Sequence, residues 1–131
     1  MRWEEVFAVL LVSHLVGDFL LQTDWQAVHK RGGLSGSNPV ARRALFSHVT
    51  VYTLGFVPAI VWLATSRAGW EIALVPVIFI PHLVQDDSRL LIAYNRRVKR
   101  GTVGPGDTLY MAIDQSMHVV MLFGTALLAM A

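Results

Sequence analysis

The chain has 131 residues, enough for one domain; 54% are hydrophobic and only 15% are charged, against roughly 25% charged in an ordinary soluble domain. That balance points to the membrane class. There is no cysteine, which excludes disulfides, thiolate metal ligands and thiol nucleophiles, and the formal net charge of +2 conceals a strong asymmetry along the chain.

The apolar segments predict an all-α fold: an integral membrane four-helix bundle, a single transmembrane domain over residues 1–131 with helices at about 4–22, 40–64, 70–94 and 107–130. Each offers enough residues to cross a hydrocarbon core of roughly 30 Å at about 1.5 Å per residue. The leading residues Trp3, Glu4 and Glu5 are acidic overall rather than basic, and no small-residue cleavage site follows the apolar run. The first helix is therefore expected to be retained in the membrane rather than removed as a signal peptide. Thr23, Asp24 and Trp25 close it, and residues 26–39, polar and glycine-rich, are expected to form a flexible surface loop with a short helical start.

The second helix begins with Pro39 in its first turn, where proline is tolerated, and carries His48. The linker at 65–69 is short, so helices two and three are expected to be antiparallel neighbours. Pro76 and Pro81 fall within the third helix, and Pro81 predicts a kink and a freed carbonyl just before His82. A basic run at 95–100 and a glycine/proline turn at 101–106 lead into the fourth helix.

Cations set the expected orientation. Lys30, Arg31, Arg42, Arg43, Arg96, Arg97, Lys99 and Arg100 lie in or beside the first and third loops, whereas the other face has only Arg2 and Arg67. By the positive-inside rule those two loops are cytoplasmic and both termini lie on the outer side of a multi-pass inner (cytoplasmic) membrane protein. Trp3, Trp62 and Trp70 then mark the outer boundary, and Trp25 and Tyr94 the inner one. Membrane lipid is the expected partner and a homo-oligomer is open; no nucleic acid is expected, because the basic residues lack a soluble domain to present them.

Polar residues inside the apolar segments carry the chemistry. His14/Asp18, His82/Asp86 and Asp114/His118 are each four apart, which places both members on one helix face one turn apart, and His48 adds a fourth helix. Counted from the inner helix ends, Asp18, His48, Asp86 and Asp114 all fall roughly 8 to 12 Å inside the cytoplasmic boundary. A charged aspartate at a helix centre costs roughly 2.5 to 3.5 kcal/mol. Three of them together approach the whole stability of a small domain, about 5 to 15 kcal/mol, so the charges must be compensated.

Four compensations are open: a metal site, a proton or ion path, Asp–His hydrogen bonds acting as interhelical glue, and pairing of Asp86 or Asp87 with Arg89. For a metal, the ligand candidates are His14, Asp18, His48, His82, Asp86, Asp114 and His118, and the ion is divalent, zinc first, with manganese or iron as alternatives. Seven groups exceed the four ligands of a simple zinc site, so either two metals bind or some aspartates orient the ligating histidines. Asp18, Asp86 and Asp114 are the candidate catalytic carboxylates, a non-ligating one taking a proton from water. Gln22, Gln115 and Ser116 are candidates for positioning substrate or water, with interhelical hydrogen bonding as the plainer role. Arg89, one turn below Asp86, either holds an anionic head group or snorkels to the interface. His29 is expected to be a solvated loop residue, and Gly17 and Gly55 to allow close helix approach.

At these residues the chain resembles a bacterial membrane family catalogued as domain of unknown function 3307. Four blocks carry the resemblance: His14-Leu-Val-Gly-Asp18-Phe-Leu-Leu-Gln22-Thr-Asp24; His48 followed by Tyr52; Pro81-His82-Leu-Val-Gln-Asp86-Asp-Ser-Arg89; and Asp114-Gln115-Ser-Met-His118. The resemblance implies a small multi-helix membrane protein and no particular activity. More loosely, the layout is similar to membrane-embedded metal-dependent hydrolases with histidine and aspartate from several helices gathered near one leaflet. The expected function is a metal-dependent hydrolase acting on a lipid or lipid-linked ester, amide or phosphoester. The alternatives are a non-enzymatic protein that handles or senses protons or metal ions, and a structural membrane subunit. The outer halves of the helices are almost purely apolar, which suits a pocket open to one side better than a path through the membrane.

Overall fold

The computed structural model describes residues 2–65 and 71–130, and all regular structure among them is helical. Trp70, expected at the outer boundary, Arg67, expected on the outer face, and most of the second linker lie outside the described residues. The helices are α1 (Trp3–Leu15), α2 (Asp24–His29), α3 (Pro39–Leu54), α4 (Val57–Ala64), α5 (Leu74–Asp86), α6 (Arg89–Arg97) and α7 (Thr108–Leu128). α1 packs on α7, α5 on both α3 and α7, and α2 on α3. Among the described residues, two stretches are long and apolar enough to cross a membrane: Pro39–Ala64, with 26 residues, and Thr108–Leu128, with 21.

Local chemistry sets the boundaries. Thr23 Oγ1 accepts from the Gln26 backbone N–H while Gln26 Oε1 accepts from the Thr23 backbone N–H, a reciprocal cap that starts α2. Gln26 Nε2 also donates to Ser47 Oγ at 3.1 Å, which ties α2 to α3. Asn38 caps α3 by accepting from Val40 and Ala41, with Pro39 in the first turn. Pro58 lacks the N–H that would continue the ladder, and a turn at Gly55 and Phe56 separates α3 from α4 there.

Two elements depart from the sequence reading. The first apolar segment is not one uniform helix. Residues Val16–Leu20 form a π-helical turn, closed by the Leu21 N–H donating to the Val16 carbonyl at 2.9 Å. The extra residue rotates Asp18 relative to His14, so the two no longer act as one helix face. The expected third helix is also two helices. α5 continues through Pro81 and stops at Asp86; Ser88 then takes a left-handed conformation with φ 68°, and α6 leaves in a new direction. A helix unbroken from Asp86 would have carried Arg89, three residues on, one turn beneath it; the left-handed Ser88 breaks that register.

Away from the polar residues the core is an apolar cluster that includes Leu10, Tyr52, Phe56, Leu63, Ile78 and Leu122. Such contacts depend on close packing. Gly17 and Gly55 make that packing possible: a Cβ on Gly17 would stand 2.7 Å from Tyr52 Cδ2 and 3.3 Å from Tyr52 Cα, and one on Gly55 would stand 3.7 Å from Gly17 Cα. The two glycines thus set the approach of the first helix to α3. The loop expected to be flexible is docked instead. Asp87 Oδ1 accepts from the backbone N–H groups of Leu34 and Ser35, and the Asp87 carbonyl accepts from Gly32, whose φ of +74° suits glycine.

A candidate metal centre of buried histidines and aspartates

His48 from α3, His82 and Asp86 from α5 and Asp18 from the π turn bring one donor atom each to a single point. All four residues are buried. His48 Nε2 lies 3.1 Å from Asp18 Oδ1, 2.9 Å from Asp86 Oδ2 and 3.1 Å from His82 Nε2. His82 Nε2 lies 3.2 Å from Asp86 Oδ2 and 3.6 Å from Asp18 Oδ1. Donors about 2.0 to 2.1 Å from a tetrahedral zinc ion are separated by about 3.3 to 3.4 Å. The observed separations bracket that value. Protons alone serve the group badly: if both facing Nε2 atoms carry hydrogens the hydrogens collide, and if one does not, a lone pair faces carboxylate oxygens. A divalent cation at the centre would satisfy all four donors.

Asp86, Asp114 and His118 form a second group, with donor atoms within 4.8 Å of one another, and Asp86 belongs to both. The two groups together hold six of the seven expected ligands. The seventh, His14, is placed differently. Its Nε2 is 2.9 Å from Gln115 Oε1 and its Nδ1 is 3.0 Å from the Tyr52 hydroxyl. Gln115 Nε2 donates to Asp18 Oδ2 at 2.8 Å, because a carboxylate only accepts; the other end of the amide is then an oxygen, and His14 Nε2 must donate to it. In the neutral His14 ring Nδ1 is then the acceptor, and the Tyr52 hydroxyl donates to it. The result is a one-way chain of donors, Tyr52 to His14 to Gln115 to Asp18. Both ring nitrogens of His14 have partners here, and through Gln115 it is linked to Asp18.

Lys30, which sequence reasoning placed only in the topology-setting loop, reaches into the site. Its ammonium donates to Asp86 Oδ2 at 2.7 Å and to Gln22 Oε1 at 2.6 Å, and stands 4.0 Å from Asp18 Oδ1. The expected pairing of Asp86 or Asp87 with Arg89 is replaced: Lys30 meets Asp86, loop N–H groups meet Asp87, and Arg89 is exposed. The signal available in the sequence was weak, a cation in a loop on the same expected side as the aspartates. Gln22 also donates to the Asp18 carbonyl at 3.1 Å. Ser116 turns back to the Ala112 carbonyl of its own helix, and exposed His29 is bonded to the Trp25 carbonyl.

A pocket of about 290 Å³ opens beside the cluster, lined by Asp18, Asp86, Asp114, Gln22, Gln115, Lys30, Arg31 and Tyr110 among others. All three site carboxylates therefore reach it, while His48, His82 and His118 stand behind. Arg31 sits 6.0 Å over the Tyr110 ring at the mouth, and the buried Tyr110 hydroxyl has no protein partner among the described residues.

These features define a class: an all-helical protein with two helices capable of crossing a membrane and a buried group of histidines and aspartates that could hold a metal ion. The chain belongs to the family described as "Protein of unknown function (DUF3307)", whose model matches residues 6–130. Comparison with curated proteins and with solved structures gave no match.

Proposed function

We propose that the protein is a multi-pass membrane protein of the inner membrane and a metal-dependent hydrolase acting on a lipid or lipid-linked substrate. The observation that carries this reading is the convergence of one donor atom each from His48, His82, Asp18 and Asp86 beside a polar pocket. A divalent cation there, zinc first and manganese or iron next, would act as a Lewis acid and lower the pKa of a coordinated water toward about 7. The chain's own groups do the rest. Asp18, Asp86 and Asp114 line the pocket, and a carboxylate not committed to the ion, such as Asp114, would take the proton. Gln115 and the His14–Tyr52 pair hold Asp18 in place. Lys30 and Arg31 offer positive charge to an anionic substrate group at the mouth.

The topology belongs to the same proposal: four membrane-crossing segments at about 4–22, 40–64, 70–94 and 107–130, both termini outside, and the pocket opening to the cytoplasmic leaflet. Large exposed apolar side chains support it, Leu20, Ile72, Val120 and Leu128 among them, each at least two-thirds exposed. An ion path is less well supported, because the donor chain from Asp18 ends at Tyr52, against the apolar cluster with Phe56 and Leu10.

Metal content of detergent-purified protein tests the reading. Stoichiometric metal in wild type, lost in His82→Ala and Asp18→Asn, is the expected result and opens a screen of lipid ester, amide and phosphoester substrates. Folded wild type that binds no zinc, manganese or iron after supplementation would remove the hydrolase reading.

A further inference from the structure

His118 is turned the way a metal ligand is turned. Its Nδ1 lies 2.8 Å from the backbone carbonyl oxygen of Asp114. A carbonyl only accepts, so Nδ1 carries a proton, and in the neutral ring, the form that binds a metal, Nε2 presents a bare lone pair. Nε2 faces Asp86 Oδ1 across 3.4 Å. Both residues are 2% exposed, and neither atom has a hydrogen-bond partner among the described residues. Two acceptors facing each other in a buried space repel unless a cation stands between them. A histidinium–carboxylate hydrogen bond would close to about 2.7 to 2.9 Å. The observed gap is instead that of two ligands on one ion, about 3.4 Å for nitrogen and oxygen donors in tetrahedral geometry. Asp114, whose Oδ1 lies 3.9 Å from His118 Nδ1, belongs to the same group and lines the pocket.

We propose that a second divalent cation binds Asp86, Asp114 and His118, and that Asp86 bridges it to the first through its two oxygens. This rests on the metal reading above and deepens it. Asp86 Oδ2 faces His48 and His82 while Oδ1 faces His118, which is the division a bridging carboxylate makes. The two groups also differ in kind. Four residues surround the first and three the second, so the second keeps more open positions, and two of its three residues line the pocket. The second ion would therefore hold substrate beside the water-activating first, in the paired-metal arrangement used for phosphoester and amide hydrolysis. Charge points to the substrate class. Three carboxylates and Lys30 leave two negative charges, which one divalent ion balances. The second ion leaves a positive surplus for hydroxide and an anionic group such as a phosphoester to meet.

The test is to load the full-length, detergent-purified chain with Mn²⁺, count manganese per chain by elemental mass spectrometry and record its electron paramagnetic resonance spectrum. The expected result is two ions per chain with an exchange-coupled multiline signal. His118→Ala and Asp114→Asn are expected to halve the count and leave the six-line signal of an isolated ion. Asp114→Asn is nearly isosteric and carries the test should His118→Ala not elute as folded protein. One ion per chain, unchanged in both variants, would overturn the second site, consistent with a histidinium–carboxylate pair, and leave the first site standing. Two ions without coupling would overturn the bridge. No bound manganese would overturn this inference together with the hydrolase reading.

Discussion

Lys30 is the residue whose placement changes most between sequence and structure. Its side chain is 11% exposed and its ammonium neutralises part of the charge of Asp86 and Asp18. Breaking a buried ion pair by removing one partner costs about 3 to 5 kcal/mol, because the other charge is stranded. Lys30→Met is therefore expected to lower the unfolding midpoint of metal-free protein in detergent by a clearly measurable margin. Added zinc should narrow the deficit, since it supplies positive charge at the same carboxylates. An unchanged midpoint in the metal-free variant would show that the ammonium does not carry this role.

His14 makes a contrasting prediction. Its ring touches Tyr52 and Gln115, and Gln115 in turn holds Asp18. Loss of a group that orients a ligand typically weakens metal binding about 10- to 100-fold, whereas loss of a ligand in a four-donor site abolishes it. His14→Ala should therefore still fill at high metal concentration, and His48→Ala should not. Isothermal titration of both variants with zinc checks this; equal and complete loss would place His14 among the ligands after all.

Among the elements, the break between α5 and α6 rests on one residue. Ser88 holds φ 68°, a conformation that costs a residue with a Cβ about 1 to 2 kcal/mol. Ser88→Gly is expected to keep or raise the unfolding midpoint, and Ser88→Val to lower it, since β-branching makes the left-handed region worse. If both substitutions behave alike, the break is not set by this backbone geometry. The π turn offers a second check. Gly17 faces Tyr52 so closely that a methyl group there must displace its ring, and that ring stacks on His82 at a centroid distance of 3.4 Å. Gly17→Ala should cost about 1 to 3 kcal/mol as an overpacked contact, and should weaken metal binding along with stability. A variant with normal stability and metal binding would show that the helices can part at no expense.

At the scale of the whole molecule, orientation is directly measurable because the chain has no native cysteine. Single cysteines at Ser37 and Thr102 should react with a membrane-impermeant maleimide only in inverted vesicles, and one at Thr65 only from the opposite side. Labelling of all three from one side would refute the four-span arrangement. Ser37 and Thr102 are exposed positions outside the helices, so the substitutions should be tolerated.

The sequence by itself determined the helical class, the apolar surface and the position of the polar site along each segment. Those follow from composition and from the four-residue spacing of histidine and aspartate, which a helix converts directly into a shared face. Six of the seven candidate ligands lie in two adjoining groups. Only the tertiary structure decided the rest. It placed His14 against the His118 ring with Tyr52 and Gln115, from two other helices, on its two ring nitrogens. It brought Lys30 in and left Arg89 out, because Asp87 anchors the loop and Ser88 redirects the helix that follows. Periodicity registers which residues share a face of one helix; it carries no information about a loop reaching across 56 residues or about which nitrogen of a ring is already engaged.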